Sequence, residues 1–528
     1  MTGGRIRRTT ALAVVVGAVM TMTGTEGAAA ATDARVAVVP KPASVRATHE
    51  AFRLGPDTRI VVKSRSRAHA VAKQLARILR PATGYRLPVV EHASRHDAIV
   101  LKLGGHGGRE SYRLDVGRRG IELRARTTAG LFYGVQTLRQ LLPARIESAQ
   151  RERGPWLVPG VRIADEPRFR WRGAMLDVSR HFFSVAEVER YIDQLALYKI
   201  NTLHLHLSDD QGWRIVIDRW PRLATYGGST EVGGGPGGYY SKRDFAELIR
   251  YAADRHMTVV PEIDGPGHTN AALASYAELN CDGVAPPLYT GTEVGFSSLC
   301  VDKEITYRFL DDVIGEITAQ TPGHVYHVGG DEAHSTPHED YVQFIDREQE
   351  LVHAHGKRMM GWNEIAGADA APGSIAQWWH TETGSEEGTE LGRTAVAKGM
   401  KLVMSPANRA YLDMQYNPES PLGLHWAGYV EVQDSYSWDP ATLVDGVGER
   451  DVLGVEGPLW SETIDESPDI EFLAFPRLPG LAEIGWSPRT GRSWEEYRHR
   501  LAAQGPRWDV MGVNYYRSPQ VPWEEADR

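Results

Sequence analysis

From Pro167 onward the chain alternates short apolar runs with amphipathic stretches at a regular spacing. The runs GAMLDVS (173–179), NTLHLHLS (201–208), MTVVPEID (257–264) and HVYHVGGD (324–331) each read as a buried strand. So do KRMMGWNE (357–364), SIAQWW (374–379), KLVMSPA (401–407) and VLGVEGPLWSE (452–462). Between them, AEVERYIDQLALY and RDFAELIRYAADRH place apolar residues three and four apart, the period of a helix buried on one face. Eight such units are the number that closes a (β/α)8 TIM barrel, expected here over residues 165–520. The seventh connection, from Tyr411 to about Val447, is aromatic and poorly helical, and FLAFPRLPGLAEIGWS reads as the closing helix.

Upstream the period changes. TRIVVK, DAIVLKL, ESYRLDVG and GIELRAR alternate as strands, whereas RAHAVAKQLARIL and TAGLFYGVQTLRQLL have helical spacing, so residues 33–155 predict a small α+β domain. The polar stretch ARIESAQRERGPWLVPG then reads as a linker. At the extreme N-terminus, Arg5, Arg7 and Arg8 precede the apolar ALAVVVGAVM and the small-residue GAAAATDA. That order predicts a secretory signal over residues 1–31, a mature chain starting near Ala31 to Asp33, and a secreted protein. A run of about ten apolar residues falls short of the roughly twenty that span a bilayer. The only cysteines, Cys281 and Cys300, lie in one loop-rich segment of the exported part and predict one disulfide.

Composition narrows the partners. A chain of 528 residues with a net charge of −9 and no basic run in its mature part is not built for nucleic acid or an anionic membrane surface. No Gly-rich phosphate loop accompanies Asp331-Glu332, which removes an ATPase reading of HVGGDEAH. His327, Asp331, Glu332, His334 and His338 carry ligand atoms, but their spacing matches no zinc signature. No metal or other cofactor is therefore expected.

The strand ends carry the chemistry. Asp177, Arg180, Asp209, Asp210, Glu262, Asp264, His268, Asp331, Glu332, Trp362, Glu364, Trp378, Trp379, Trp460 and Glu462 all fall where a strand runs out, which in a barrel is one shared face. Carboxylates, one Arg and several Trp on one face suit a carbohydrate. Ordinary glycosidases set two carboxyls at least about 5 Å apart on either side of the scissile bond. Asp331 and Glu332 are neighbours on one backbone and cannot readily stand on opposite faces of a sugar ring. One is free to act as the acid; the other needs a different task.

HVGGDE, together with LHLHLSDDQGWRI, DVSRHFF, PEIDGPGH, GWNE, QWW, YLD and LWSE, resembles glycoside hydrolase family 20, the β-N-acetylhexosaminidases. In GWNE, Asn363 stands where many members carry Asp. The resemblance implies exo-acting, retaining release of terminal β-linked GlcNAc or GalNAc from an oligosaccharide or glycoconjugate, with the substrate's 2-acetamido oxygen as nucleophile. By the same resemblance, Glu332 is the acid and then the base, Asp331 orients the acetamido N–H, and Tyr411 bonds its carbonyl oxygen. Trp362, Trp379 and Trp460 would enclose the acetamido methyl; Arg180, Asp413 and Glu462 would hold hydroxyls, with Trp426 near the sugar. Asp209 and His268, with Asp264 behind, would support Glu332, whose pKa a dry, negative setting should raise. A metal-dependent hydrolase and a non-catalytic sugar-binding barrel stay open as alternatives.

Overall fold

The computed structural model describes Met1 and residues 36–64, 66–92, 96–381 and 386–523; the expected signal segment lies outside the described residues. The first domain is a seven-stranded sheet in the order β1-β7-β5-β6-β4-β2-β3. Its strands are Ser44–Leu54 (β1), Arg59–Val62 (β2), Val89–Val90 (β3), Ala98–Leu103 (β4), Tyr112–Gly117 (β5), Gly120–Ala125 (β6) and Trp156–Asp165 (β7). Helices Ala68–Thr83 (α1) and Thr128–Leu141 (α2) pack their apolar sides on it.

One expectation is overturned here. The end of the expected linker, from Trp156 to Gly160, is the start of β7, which pairs with both β1 and β5, so the first domain's sheet runs to Asp165 and past the expected limit at 155. Pro159 and Gly160 disguise the strand, but its neighbours alternate buried and exposed, and its partners lie far away in sequence.

The second domain is the closed parallel barrel the pattern predicts. Its strands are Trp171–Asp177 (β8), Thr202–His206 (β9), Thr258–Glu262 (β10), Val325–His327 (β11), Arg358–Trp362 (β12), Ile375–Trp378 (β13), Lys401–Met404 (β14) and Val452–Gly457 (β15). Connecting helices form for local reasons as well as tertiary ones. Val185–Leu197 starts at a capping box in which Ser184 and Glu187 satisfy each other's backbone N–H, and it buries Val188, Tyr191, Ile192 and Leu195 against the barrel. The expected closing helix is two, Ser467–Ala474 and Arg477–Trp486, because Pro476 has no N–H to continue the first. Between β14 and β15 lie only the short helices Ala407–Ala410 and Val432–Tyr436. Trp171, Val260, Met360, Ile375 and Val403 fill one layer of the barrel, leaving its other end to polar groups. Among the described residues no helix is long and apolar enough to cross a membrane.

Candidate active site

Asp331 and Glu332 follow β11 through a turn that only glycine allows. Gly329 and Gly330 have φ of +69° and +95°, and a Cβ on Gly329 would lie 1.7 Å from an Asp264 carboxylate oxygen. Asp264 accepts the Gly330 N–H at 3.0 Å, so the turn is tied to the end of β10. Two non-glycine residues of the site, Glu332 (φ +46°) and His268 (φ +55°), also occupy the left-handed region. Strain of this kind persists only where the surroundings hold it, and it concentrates at functional positions.

His268 stands between the carboxylates. Its Nδ1 lies 3.2 Å from Asp209 Oδ1, and its Nε2 lies 3.6 Å from Asp331 Oδ2 and 3.5 Å from Glu332 Oε2. The residue hydrogen-bonded behind His268 is thus Asp209; Asp264, expected there, spends its bond on Gly330. Asp209 in turn pairs with Arg180 (2.9 Å) and with His206 Nε2 (2.7 Å).

Below this tier lies an arrangement that the sequence did not single out. His206 Nδ1 meets Glu262 at 2.6 Å, His204 spans Glu262 (2.9 Å) and Glu456 (2.8 Å), and Trp362 Nε1 donates to Glu262 at 2.9 Å. The alternating LHLHLS was the available signal, since period two turns both histidines inward. Burial alone would lower both rings, but the flanking carboxylates outweigh it and push His204 up to about 9 and His206 well above the ordinary range. Four groups among the described residues bring together donors suited to a metal, including His204-Glu262-His327 and His268-Asp331-Glu332. In the first, both nitrogens of His204 already face carboxylates, and a protonated ring has no lone pair to offer.

The charge states correct one expectation. Burial pushes Glu332 up, but His268, Arg180 and His334 outweigh it and hold the carboxyl below its ordinary value rather than above. Asp331 is the raised one, at about 6, through burial first and then the Glu332 charge, with His268 opposing. Glu364, whose carboxylate accepts from Trp379 Nε1 at 3.1 Å, is pushed by burial to about 8.

Around the carboxylates the aromatic residues form one cluster. Trp362 and Trp460 lie with ring centroids 5.6 Å apart, Trp379 and Trp426 5.9 Å, Tyr411 and Trp426 5.8 Å, and Tyr411 and Trp460 6.3 Å. Trp362 is fully buried at the end of β12, whereas Trp426 is 54% exposed at the mouth. Arg180 stacks over Trp460 at 4.9 Å. Within this cluster Asp331 Oδ1, Arg180 Nε, Asp413 Oδ2 and Glu462 Oε2 are buried without a hydrogen-bond partner. Orphaned polar atoms are rare in interiors, and four around one aromatic cluster suit a polyhydroxylated ligand. Asn363, the departure in GWNE, accepts the Trp379 backbone N–H at 3.2 Å and so shapes the aromatic wall.

The expected disulfide is present: Cys281 and Cys300 are bridged. Their loop reaches the site through Ser297, which donates to Asp210 at 2.6 Å and accepts from the Thr269 N–H at 2.9 Å.

Comparison with known proteins agrees with this geometry. Residues 169–489 match the family described as glycosyl hydrolase family 20, catalytic domain, and residues 35–166 match its domain 2. A β-N-acetylhexosaminidase of Cellulomonas fimi is 39% identical over 92% of this chain and 97% of its own length. The family 20 β-N-acetylhexosaminidase of Streptomyces coelicolor A3(2) is 58% identical, with a TM-score of 0.91 over 93% of this chain and 99% of its own. The Streptomyces plicatus N-acetyl-β-hexosaminidase, solved with Thio-NAglucal, is equally similar at 58% identity and a TM-score of 0.91 over 93% of this chain and 98% of its own. With both domains matched and the site built on the ends of its eight barrel strands, the chain belongs to glycoside hydrolase family 20.

Proposed function

We propose that the protein is a secreted, exo-acting β-N-acetylhexosaminidase that removes terminal non-reducing β-linked GlcNAc or GalNAc from oligosaccharides or glycoconjugates, with retention. The observation that carries the reading is the pairing of Asp331 and Glu332 on one turn beside His268, next to a tryptophan cluster with orphaned polar atoms around it. In the first step the acetamido carbonyl oxygen attacks C1, the C1–O bond breaks, and Glu332 gives its proton to the departing oxygen, which leaves as a neutral alcohol. Asp331 faces the acetamido N–H and balances the positive charge of the oxazolinium ring. Its pKa of about 6 leaves it ionised at neutral pH. In the second step Glu332 takes a proton from water, the hydroxide oxygen bonds to C1, and the ring reopens to the acetamide.

Glu332 is held toward its charged form by His268, so its carboxyl must be raised when substrate binds before it can give a proton. A sugar seated against Glu332 excludes water and shifts the carboxyl toward the neutral acid the first step requires. Tyr411 reaches the carbonyl oxygen, Trp362, Trp379 and Trp460 enclose the methyl, and Arg180, Asp413 and Glu462 take ring hydroxyls. Export rests on the Arg-rich leader; the disulfide supports it, because such bonds persist outside the reducing cytosol. Mass spectrometry of protein recovered from culture medium tests it: a first residue near Ala31 to Asp33 is expected, and retention of the leader inside cells would refute it.

The mechanism is tested by fluorinating the N-acetyl methyl. Each fluorine withdraws electron density from the attacking oxygen without touching the bond that breaks, so kcat should fall steeply along the series while binding changes less. A flat response, or a sugar trapped covalently on Asp331 or Glu332, would overturn the nucleophile assignment and leave the glycosidase reading intact.

A further inference from the structure

Glu262 lies wholly buried at the end of β10, and its two carboxylate oxygens serve different parts of the site. Oε1 accepts from Trp362 Nε1, a member of the aromatic cluster, at 2.9 Å. Oε2 meets His206 Nδ1 at 2.6 Å. From His206 one line of contacts runs to the acid. His206 Nε2 meets Asp209 Oδ2 at 2.7 Å, Asp209 Oδ1 meets His268 Nδ1 at 3.2 Å, and His268 Nε2 lies 3.5 Å from Glu332 Oε2. Carboxylate and imidazole alternate along the whole line.

Both nitrogens of His206 face carboxylates, and an imidazole donates from both only when it carries both protons. In any other state the ring turns a lone pair toward Glu262 or Asp209, and the two groups repel. No water reaches this tier to separate them, because His206, Glu262 and Asp209 are all buried. The competing cation, Arg180, lies 3.5 Å from His206 Nε2 but is itself held by Asp177 at 3.4 Å and by Asp209 at 2.9 Å. An Asp209 pushed aside would take its hydrogen bond from His268, the ring that stands against the acid. We propose that Glu262 is a positioning residue of the general acid: it keeps His206 a donor on both sides, and His206 fixes Asp209, which seats His268 against Glu332. The proposal rests on Glu332 being the acid.

Glu262→Gln tests it, because the change keeps the shape of the side chain and removes its charge. The amide carbonyl can still accept from Trp362, which leaves the NH2 facing His206 Nδ1, and the ring must give up that proton to accept. Trp362 keeps its anchor while the line to Glu332 is altered. For the β-1,4-linked GlcNAc disaccharide, whose leaving oxygen needs a proton, kcat should fall about tenfold or more. For the 2,4-dinitrophenyl glycoside, whose leaving group needs none, kcat should change less than about twofold, with KM little altered for either substrate. A merely structural role would lower both rates together, so equal losses, or no loss on either substrate, overturn the proposal. A wild-type protein that cleaves neither substrate would instead overturn the glycosidase reading beneath it. Should the variant fail to fold by thermal melt, neutron diffraction from the wild-type protein at neutral pH decides the question: deuterons on both ring nitrogens of His206 support the role, and a singly protonated ring refutes it.

Discussion

At the residue scale, Asp331 and Glu332 share a turn but not a charge problem. Burial raises Asp331 to about 6, against an ordinary value of 3.8. A carboxyl whose folded-state pKa is raised contributes stability that is fully present below about pH 4 and is lost as pH rises through about 6. Above that window the buried charge costs on the order of 1–3 kcal/mol. Asp331→Asn should therefore melt at a higher temperature than wild type at pH 7.5, with the difference vanishing near pH 4, while activity collapses. Equal melting at both pH values would show that Asp331 is not raised. Glu332→Gln separates the roles differently: it should slow the natural disaccharide by about a thousandfold or more, and an aryl glycoside with a good leaving group far less. Equal losses on both would make Glu332 a structural residue.

At the scale of elements, the turn after β11 decides where the acid sits. Gly329 needs both a positive φ and the absence of a Cβ, because Asp264 occupies the space. Gly329→Ala should cost at least about 2 kcal/mol by forcing a left-handed alanine against a carboxylate, and should abolish activity through displacement of Glu332. Denaturant unfolding and kcat measured together check this. A folded variant with wild-type kcat would mean that the turn relaxes elsewhere. The eight strands were legible element by element because burial imposes its pattern locally. β7 was not legible, since its identity comes from pairing with β1 and β5, both of them distant in the chain.

At the scale of the molecule, the first domain is joined to the barrel by buried charge. Lys199 Nζ lies 3.1 Å from Asp165 and 3.1 Å from the Tyr112 hydroxyl, over the Trp486 ring at 4.4 Å. Arg172, at the start of β8, pairs with Glu110 at 2.8 Å. Burial lowers the Lys199 pKa while Asp165 opposes it. Lys199→Met leaves Asp165 buried without its cation, although Trp486, Tyr112 and the Ala43 N–H still donate to it. A loss of about 3 kcal/mol is expected, seen as a lower melting temperature in one cooperative transition with kcat little changed. Two separate transitions would show that the domains unfold independently.

The chain's own pattern determined the barrel, the residues at its strand ends and the adjacency of Asp331 and Glu332, because period and neighbourhood are properties of the sequence itself. It also placed Cys281 and Cys300 in one loop. Only the tertiary structure decided which side chains meet. Glu262 faces His206 on one neighbouring strand and His327 on the other through the barrel's register. That register puts His206 under Asp209, Asp209 rather than Asp264 against His268, and His268 beside Glu332, where it helps hold the carboxyl below its ordinary value. A pKa depends on distances of a few ångströms between groups tens of residues apart, and those distances exist only once the strands have closed.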